Sequence, residues 1–174
     1  ESIGGALCFN GQIRNGDNFL SGEIAFSTSF DGQPISKFLL PKNASYLYKT
    51  LVLNEVRMPE KELEKRLNHT IDDVFRLYNE GDRYAVRALS KTASVLAILI
   101  NNFESLVDCN CVIIHSYLSN CGEVFRKHTE NEIRALCDPP GRKILFTDPD
   151  NRIFIDGCIN YSIDKNIIST LQLD

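Results

Sequence analysis

Between Arg83 and Val107 the sequence reads RYAVRALSKTASVLAILINNFESLV. Its apolar and small residues recur every three or four positions, which places them on one face of an α-helix. They are Ala85, Leu89, Thr92, Ala93, Leu96, Ile100, Phe103 and Val107. At 1.5 Å per residue the helix is about 37 Å long. We therefore predict that this helix is the element against which the rest of the domain packs.

The sequence after this helix alternates strands and helices. Asp108 to Asn110 turns the chain, and Cys111–Ile114 is a continuous apolar run, as in a central strand covered on both faces. Beyond it we predict a helix capped by Ser119 or Asn120 and reaching about Leu136, an end to that region at Pro139-Pro140-Gly141, strands at Lys143–Phe146 and Ile153–Ile155, and a helix from Cys158.

The sequence before the long helix combines a hairpin with short helices. Ile3 to Ile13 reads as a β-hairpin because Asn10-Gly11 tolerates positive φ at both turn positions. We predict a third strand at Ile24–Phe30, helices at about Asn43–Val56, at Glu60–Leu67 and at Ile71–Tyr78 with Thr70 as N-cap, and a further cap at Asp82 for the long helix. Strands alternating with helices define an α/β layered domain.

Composition restricts the classes of function. The chain has 174 residues and a net charge of −4, which argues against a basic face for duplex DNA. Its longest apolar stretch, Ala93 to Ile100, is too short to span a bilayer. We expect one cytoplasmic domain over residues 1–174 with no membrane contact. Because Met58 is the only methionine and the chain opens in strand-like sequence, we also expect a segment of a longer protein.

The six cysteines have two interpretations. Without an export signal, reduced thiols buried in the core are the default. Alternatively, Cys109, Cys111, His115 and Cys121 form a thiolate–imidazole zinc set, although their spacing matches no closed zinc knuckle.

Three glycine-bearing motifs carry a resemblance to a known family. They are Ile3-Gly4-Gly5-Ala6-Leu7, Asn10-Gly11-Gln12-Ile13 and Ser21-Gly22-Glu23-Ile24, followed at family-like spacing by Gly81-Asp82, Val107-Asp108, Val112-Ile113-Ile114 and Gly157-Cys158. This order resembles the second lobe of the ROK family of repressors, open reading frames and sugar kinases. The resemblance implies an actin-like ATPase, ribonuclease-H-like lobe with a mixed β-sheet and helices packed on it.

The resemblance also implies a binding site. Gly4 and Gly5 would bring backbone N–H groups close to a phosphate, although a glycine pair in a strand is also typical of a bulge. Glu23 would accept hydrogen bonds from sugar hydroxyls, although a lone exposed glutamate is also typical of an ordinary surface.

Several positions depart from the family pattern. Phe26 stands where the family has a histidine that contacts sugar and begins a zinc site, and no Cys or His occurs between Phe26 and Thr50. His115-Ser116 replaces a glycine pair that lets a nucleotide's adenosine lie close to the backbone, and we read His115 as a capping or core imidazole. The family's catalytic aspartate belongs to a first lobe that this sequence does not contain. We therefore assign no catalytic residue, no metal and no cofactor.

These observations favour the effector-sensing and oligomerisation domain of a ROK-type transcriptional regulator. A sugar or sugar phosphate would bind between Glu23 and the first lobe that this sequence does not contain. The long helix with its neighbours would supply a homo-oligomer surface, and an upstream helix-turn-helix would contact DNA. The alternative is the nucleotide-side lobe of a divergent ROK sugar kinase. A third reading is an unrelated α/β domain with a coincidental glycine pattern.

Overall fold

The computed structural model describes residues 3–14, 16–18, 21–29, 31–55, 57–138, 141–147 and 152–163. The elements in chain order are β1 (Leu7–Phe9), β2 (Gln12–Arg14), α1 (Ser36–Leu39), α2 (Pro41–Leu53), α3 (Glu60–Leu67), α4 (Ile71–Asn79), α5 (Arg83–Val107), β3 (Cys111–His115), α6 (Glu123–Leu136), β4 (Lys143–Thr147) and α7 (Arg152–Ile163). Two short 3₁₀ turns, Ile24–Phe26 and Tyr117–Cys121, lie before α1 and before α6.

Helix α5 has the predicted bounds and the predicted central position. The Asp82 carboxylate caps its start by accepting hydrogen bonds from the N–H groups of Tyr84 and Ala85 at 3.0 and 3.1 Å. The helix ends where Asp108 takes the left-handed conformation, with φ 51°. Ten of its residues are buried, so it is the common wall of the domain core.

Three apolar clusters lie around α5. The largest joins it to α2, α4 and α6 through residues that include Tyr48, Phe75, Leu89 and Phe125. A second cluster joins its middle to the α1 region through Ile35, Leu39, Val95 and Leu99. The third joins its other side to β3 and α6 through Ala97, Ile100, Ile114 and Ile133. One helix therefore positions both the N-terminal glycine-rich segment and the strand pair.

The N-terminal hairpin confirms its sequence prediction, and the strand predicted after it is wrong. Strands β1 and β2 pair antiparallel, and both turn residues, Asn10 and Gly11, have positive φ. The predicted strand Ile24–Phe30 is instead a 3₁₀ turn at Ile24–Phe26 followed by a single bridge between Thr28 and Pro34. The turn forms because the N–H of Ile24 bonds back to the Gly22 carbonyl at 2.7 Å.

Strands β3 and β4 pair in parallel, with Ile113 opposite Leu145. The prediction that β3 is covered on both faces is wrong for the described residues, because Ile113 is 64% and Leu145 48% exposed. Only the face that carries Ile114 packs against α5 and α6. Parallel and antiparallel pairing both occur, as expected, but in two separate two-stranded sheets within the described part of the chain.

The predictions for α3 and for the start of α4 are confirmed. Helix α3 has the predicted bounds, and α4 begins after Thr70, whose hydroxyl accepts from the Asp73 N–H at 3.2 Å. The predicted cap at Ser119 or Asn120 is wrong, because both residues lie in the 3₁₀ turn and α6 starts after Gly122. The predicted strand Ile153–Ile155 lies inside α7.

The fold class is α/β, as predicted. Pro139 and Pro140 lie outside the described residues, so the break predicted there is not described. None of the described helices is long and apolar enough to cross a membrane.

Candidate functional site

Two glycine-containing stretches near the N-terminus, one around Gly5 and one around Gly22, cross closely at the backbone. The Gly5 N–H donates to the Gly22 carbonyl at 2.8 Å. A Cβ placed on Gly22, whose φ is +95°, would lie 2.0 Å from the Gly5 carbonyl oxygen. Only glycine fits this position. Gly22 stands inside the Ser21-Gly22-Glu23-Ile24 motif, but its pattern there did not predict this crossing.

Glu23 lies directly after this crossing and is exposed. It precedes the 3₁₀ turn Ile24–Phe26, and its carboxylate makes no capping bond to that turn. Ile24 packs against the second apolar cluster, which ties the segment to α5. Gly22 and Ile24 thus fix the backbone of Glu23. The carboxylate of Glu23 faces solvent and is open to a ligand.

Gly4 and Gly5 are both exposed beside this crossing. The Gly5 N–H already bonds to the Gly22 carbonyl, so a phosphate would have to compete with that carbonyl for it. A Cβ on Gly5 would lie 3.5 Å from Ile24 Cγ2, an ordinary contact distance. The structure therefore places the backbone of Gly4 and Gly5 beside that of Glu23, and the ligand roles of these three residues remain predictions.

A second candidate region lies at the carboxyl ends of β3 and β4, the edge at which parallel sheets commonly bind ligands. His115 ends β3, as predicted, and its Nδ1 is 2.8 Å from Thr147 Oγ1 at the end of β4. Ser116 follows, and its hydroxyl accepts from the Leu118 N–H at 3.2 Å, which starts the 3₁₀ turn. The two side chains that replace the family's glycine pair therefore bond within the fold.

A cavity of about 470 Å³ lies between this 3₁₀ turn and α4. Its lining residues are Asp72, Phe75, Arg76, Asn79, Glu80 and Asn120. Arg76 donates to both carboxylate oxygens of Glu80, at 2.9 and 3.0 Å. The Tyr117 hydroxyl donates to Asp72 at 2.9 Å, and this bond raises the pKa of Tyr117. Two carboxylates against one paired guanidinium favour hydroxyl or amine ligands over phosphates.

The cysteines fit neither sequence interpretation fully. Cys121 is buried, and burial raises the pKa of its thiol to about 12. Cys8, Cys111 and Cys137 are exposed, so the prediction of buried core thiols is wrong for them, since they lie on the hairpin, at the open end of β3 and after α6. Among the residues that the structure describes, no three Cys, His, Asp or Glu side chains are placed to hold a metal ion.

The described residues form an α/β lobe, and comparison with solved structures gives it the actin-like fold that the resemblance implied. Solved ROK structures share this fold. A ROK family glucokinase from Streptomyces griseus in complex with glucose and AMPPNP matches with a TM-score of 0.68 and 15% identity over 82% of this chain and 51% of its own. A ROK family protein from Streptococcus pneumoniae in complex with sucrose matches with a TM-score of 0.71 and 14% identity, and the match covers 94% of this chain and 56% of that protein. The ROK hexokinase from Thermus thermophilus matches with a TM-score of 0.63 and 15% identity, and the match covers 83% of this chain and 48% of that protein.

These likenesses establish the resemblance to the ROK family at the level of the fold. The chain spans about half of the length of each of these structures. No protein-family model matches the sequence. No curated protein matches it either.

Proposed function

We propose that this chain is the C-terminal, effector-sensing and oligomerisation part of a ROK-type transcriptional regulator. In this proposal a sugar or sugar phosphate binds at Glu23, and the DNA-binding helix-turn-helix lies in a part of the protein outside this sequence. The protein acts in the cytoplasm, and the long helix α5 supplies the contact between copies.

The proposal is supported by the Gly5–Gly22 backbone crossing, together with the lack in this sequence of the histidine and cysteines that the resemblance would supply as metal ligands. The Gly5–Gly22 crossing presents an exposed Glu23. Yet Phe26 occupies the signature histidine position, and no Cys or His follows before Thr50. A sensor needs only a conformational response to its ligand and no turnover, so it tolerates this loss better than a kinase does.

Charge and surface support the rest of the proposal. A net charge of −4 fits a domain that leaves DNA contact to another part of the protein. Near the end of α5, Leu106 is 85% exposed. It borders a mainly apolar groove of about 180 Å³ formed by α5 and the segment Ser27–Ser29. We assign this groove to the contact between two copies of the protein.

A thermal-shift screen of the full-length protein tests sugar binding, because a ligand that binds only the native state raises the unfolding temperature. Glucose and sucrose, which two of the matching structures contain, are the first probes, with glucose 6-phosphate and ATP beside them. We expect a sugar or sugar phosphate to raise the unfolding temperature and Glu23→Gln to abolish the increase. Glu60→Gln, an exposed glutamate at the start of α3, is the matched control. An increase with ATP alone would contradict the proposal.

The second candidate function is the nucleotide-side lobe of a divergent ROK sugar kinase. The observation that favours it is the cavity between α4 and the 3₁₀ turn Tyr117–Cys121. This turn follows β3, and the resemblance to the ROK family implies a nucleotide beside the loop after that strand. ATP-dependent phosphorylation of glucose by the full-length protein would support the kinase. The regulator proposed above predicts none, and the one guanidinium among the lining residues, that of Arg76, is already paired with Glu80.

A further inference from the structure

Tyr48 lies at the centre of a buried polar chain that is separate from the candidate ligand site. It belongs to α2 and is fully buried, with 0% exposure. Its hydroxyl is 3.3 Å from Arg66 Nη1 in α3 and 3.0 Å from Nδ1 of His69, which lies in the connection from α3 to α4. The hydroxyl therefore joins α2 to α3 and to the connection that follows it.

The direction of this chain follows from the chemistry of its members. A guanidinium only donates hydrogen bonds, so the Tyr48 oxygen accepts from Arg66. Among the described residues, the single hydroxyl proton has His69 Nδ1 as its only bonded acceptor. This arrangement favours a neutral His69 that carries its proton on Nε2. Protonated His69 would carry a proton on Nδ1, and the Tyr48 hydroxyl proton would lose its partner in the core.

Helix α3 depends on this polar chain because its apolar anchoring is shallow. None of its residues is fully buried, and Leu63 and Leu67 pack only partly against the main cluster. Arg66 attaches it to other elements by donating to Asp82, the cap of α5, at 2.7 Å and to the Tyr48 hydroxyl; its bond to Glu62 at 2.6 Å lies within α3. Loss of the Tyr48–His69 bond therefore removes one of the few polar links at the C-terminal end of this helix, while the Arg66–Asp82 pair remains.

We propose that Tyr48 and His69 form a pH-sensitive latch that holds α3 against α2 when His69 is neutral and releases it when His69 is protonated. This inference is independent of the sugar site. It assigns the protein a local conformational response in the pH range where histidine titrates.

Burial of His69 favours its neutral form, and the polar and charged groups around it act in both directions. They come from every element packed near it, namely Tyr48 of α2, Glu62, Lys65 and Arg66 of α3, Asp73 and Arg76 of α4, and Asp82 at the start of α5. Burial is the largest influence and lowers the pKa of His69; Asp73 opposes this, whereas Arg66, Arg76 and Lys65 add to it. Burial likewise raises the pKa of Tyr48, which keeps its hydroxyl protonated.

Hydrogen exchange of the α3 backbone amides, measured on the intact protein at pH 7.5 and 5.5 and corrected for the intrinsic rate, tests the latch. If His69 has an ordinary pKa of 6.5 when the latch is open and stays neutral when it is closed, opening rises about tenfold between these pH values. His69→Asn keeps an acceptor near the Nδ1 position and does not titrate, so we expect no such rise. His128→Asn, a half-buried histidine on α6, is the matched control and should keep the rise.

The outcomes decide the inference in either direction. Equal protection of α3 at both pH values in the wild type overturns it, and so does a tenfold rise that persists in His69→Asn. If that variant fails to fold, ¹⁵N chemical shifts of the wild-type imidazole at pH 7.5 give the answer. A proton on Nε2 supports the latch, and a proton on Nδ1 overturns it.

Discussion

At the scale of single residues, Gly22 makes the strictest demand on the candidate site. The Gly5 carbonyl oxygen occupies the space where a Gly22 Cβ would lie, 2.0 Å away. The same residue accepts two backbone hydrogen bonds, from Gly5 and Ile24. The position of Glu23 therefore depends on the backbone conformation of its neighbour Gly22.

Gly22→Ala is expected to destabilise the protein through both strain and collision. A non-glycine residue at φ +95° costs about 1–3 kcal/mol, and the collision with Gly5 adds to this. Gly32→Ala is the matched control, because Gly32 has φ +74° but nothing within 4 Å of its Cβ position. Urea denaturation of both variants measures the difference. Equal losses in the free energy of unfolding would show that the crossing is not tight.

The Thr70–Asp73 capping box gives a pH prediction. The hydrogen bond from the Thr70 N–H, followed by that from the Thr70 hydroxyl, lowers the pKa of Asp73 below its ordinary value of 3.8. A carboxylate whose pKa is lower in the folded state stabilises the protein above its unfolded pKa, and this stability is lost as the pH falls through the folded value. Thr70→Ala should cost about 1 kcal/mol at pH 7. The cost should shrink below pH 3.8 in denaturation series; a cost that is constant down to pH 2 would contradict the role of Asp73.

At the scale of elements, helix α5 gives the most direct test of the core. Leu89 is fully buried in the largest cluster, whereas Leu106 on the same helix is 85% exposed. Leu89→Ala is expected to cost about 2–5 kcal/mol. Leu106→Ala should cost less than about 0.5 kcal/mol. Thermal or urea unfolding checks both, and similar losses would contradict the assignment of the buried face.

Local signals explain which elements the sequence could predict. The apolar repeat of α5, the capping residues Thr70 and Asp82, and the Asn10-Gly11 turn act within a few residues, so their patterns are visible in the sequence. The 3₁₀ turn that replaces the strand predicted at Ile24–Phe30 depends on a hydrogen bond from Ile24 to Gly22. Gly22 in turn accepts a hydrogen bond from Gly5, which lies far back along the chain, so the local sequence does not show this turn. Likewise, no local pattern showed that α5 and α6 cover one face of β3 and leave Ile113 exposed.

Part of the candidate site was predictable from the sequence, and part was not. The glycine motifs located Gly4, Gly5 and Glu23, which the structure brings together in one segment. The cavity lined by Asp72, Arg76 and Asn120 was not predictable, because it requires the packing of α4 against the turn after β3. The same holds for the chain from Arg66 through Tyr48 to His69, since its members lie on two helices and a connection.

At the scale of the whole molecule, the proposed groove contact between copies predicts self-association. Leu106→Glu would place a charge on the apolar wall formed by Ile98, Phe103 and Leu106, and burying an unpaired charge is costly. We expect the full-length protein to be oligomeric in sedimentation velocity and Leu106→Glu to shift it toward the monomer. Lys91→Glu, an exposed residue of α5 that does not line the groove, is the control. A monomeric wild type at high concentration would rule out the contact.

We propose that this lobe senses a sugar without transforming it. To test this, the full-length protein is equilibrated with radiolabelled glucose, ATP and Mg²⁺, and the protein-bound label is then released and separated by chromatography. We expect the bound label to be recovered as unmodified glucose and Glu23→Gln to retain none. Recovery as a glucose phosphate, or no bound label in the wild-type protein, would contradict it.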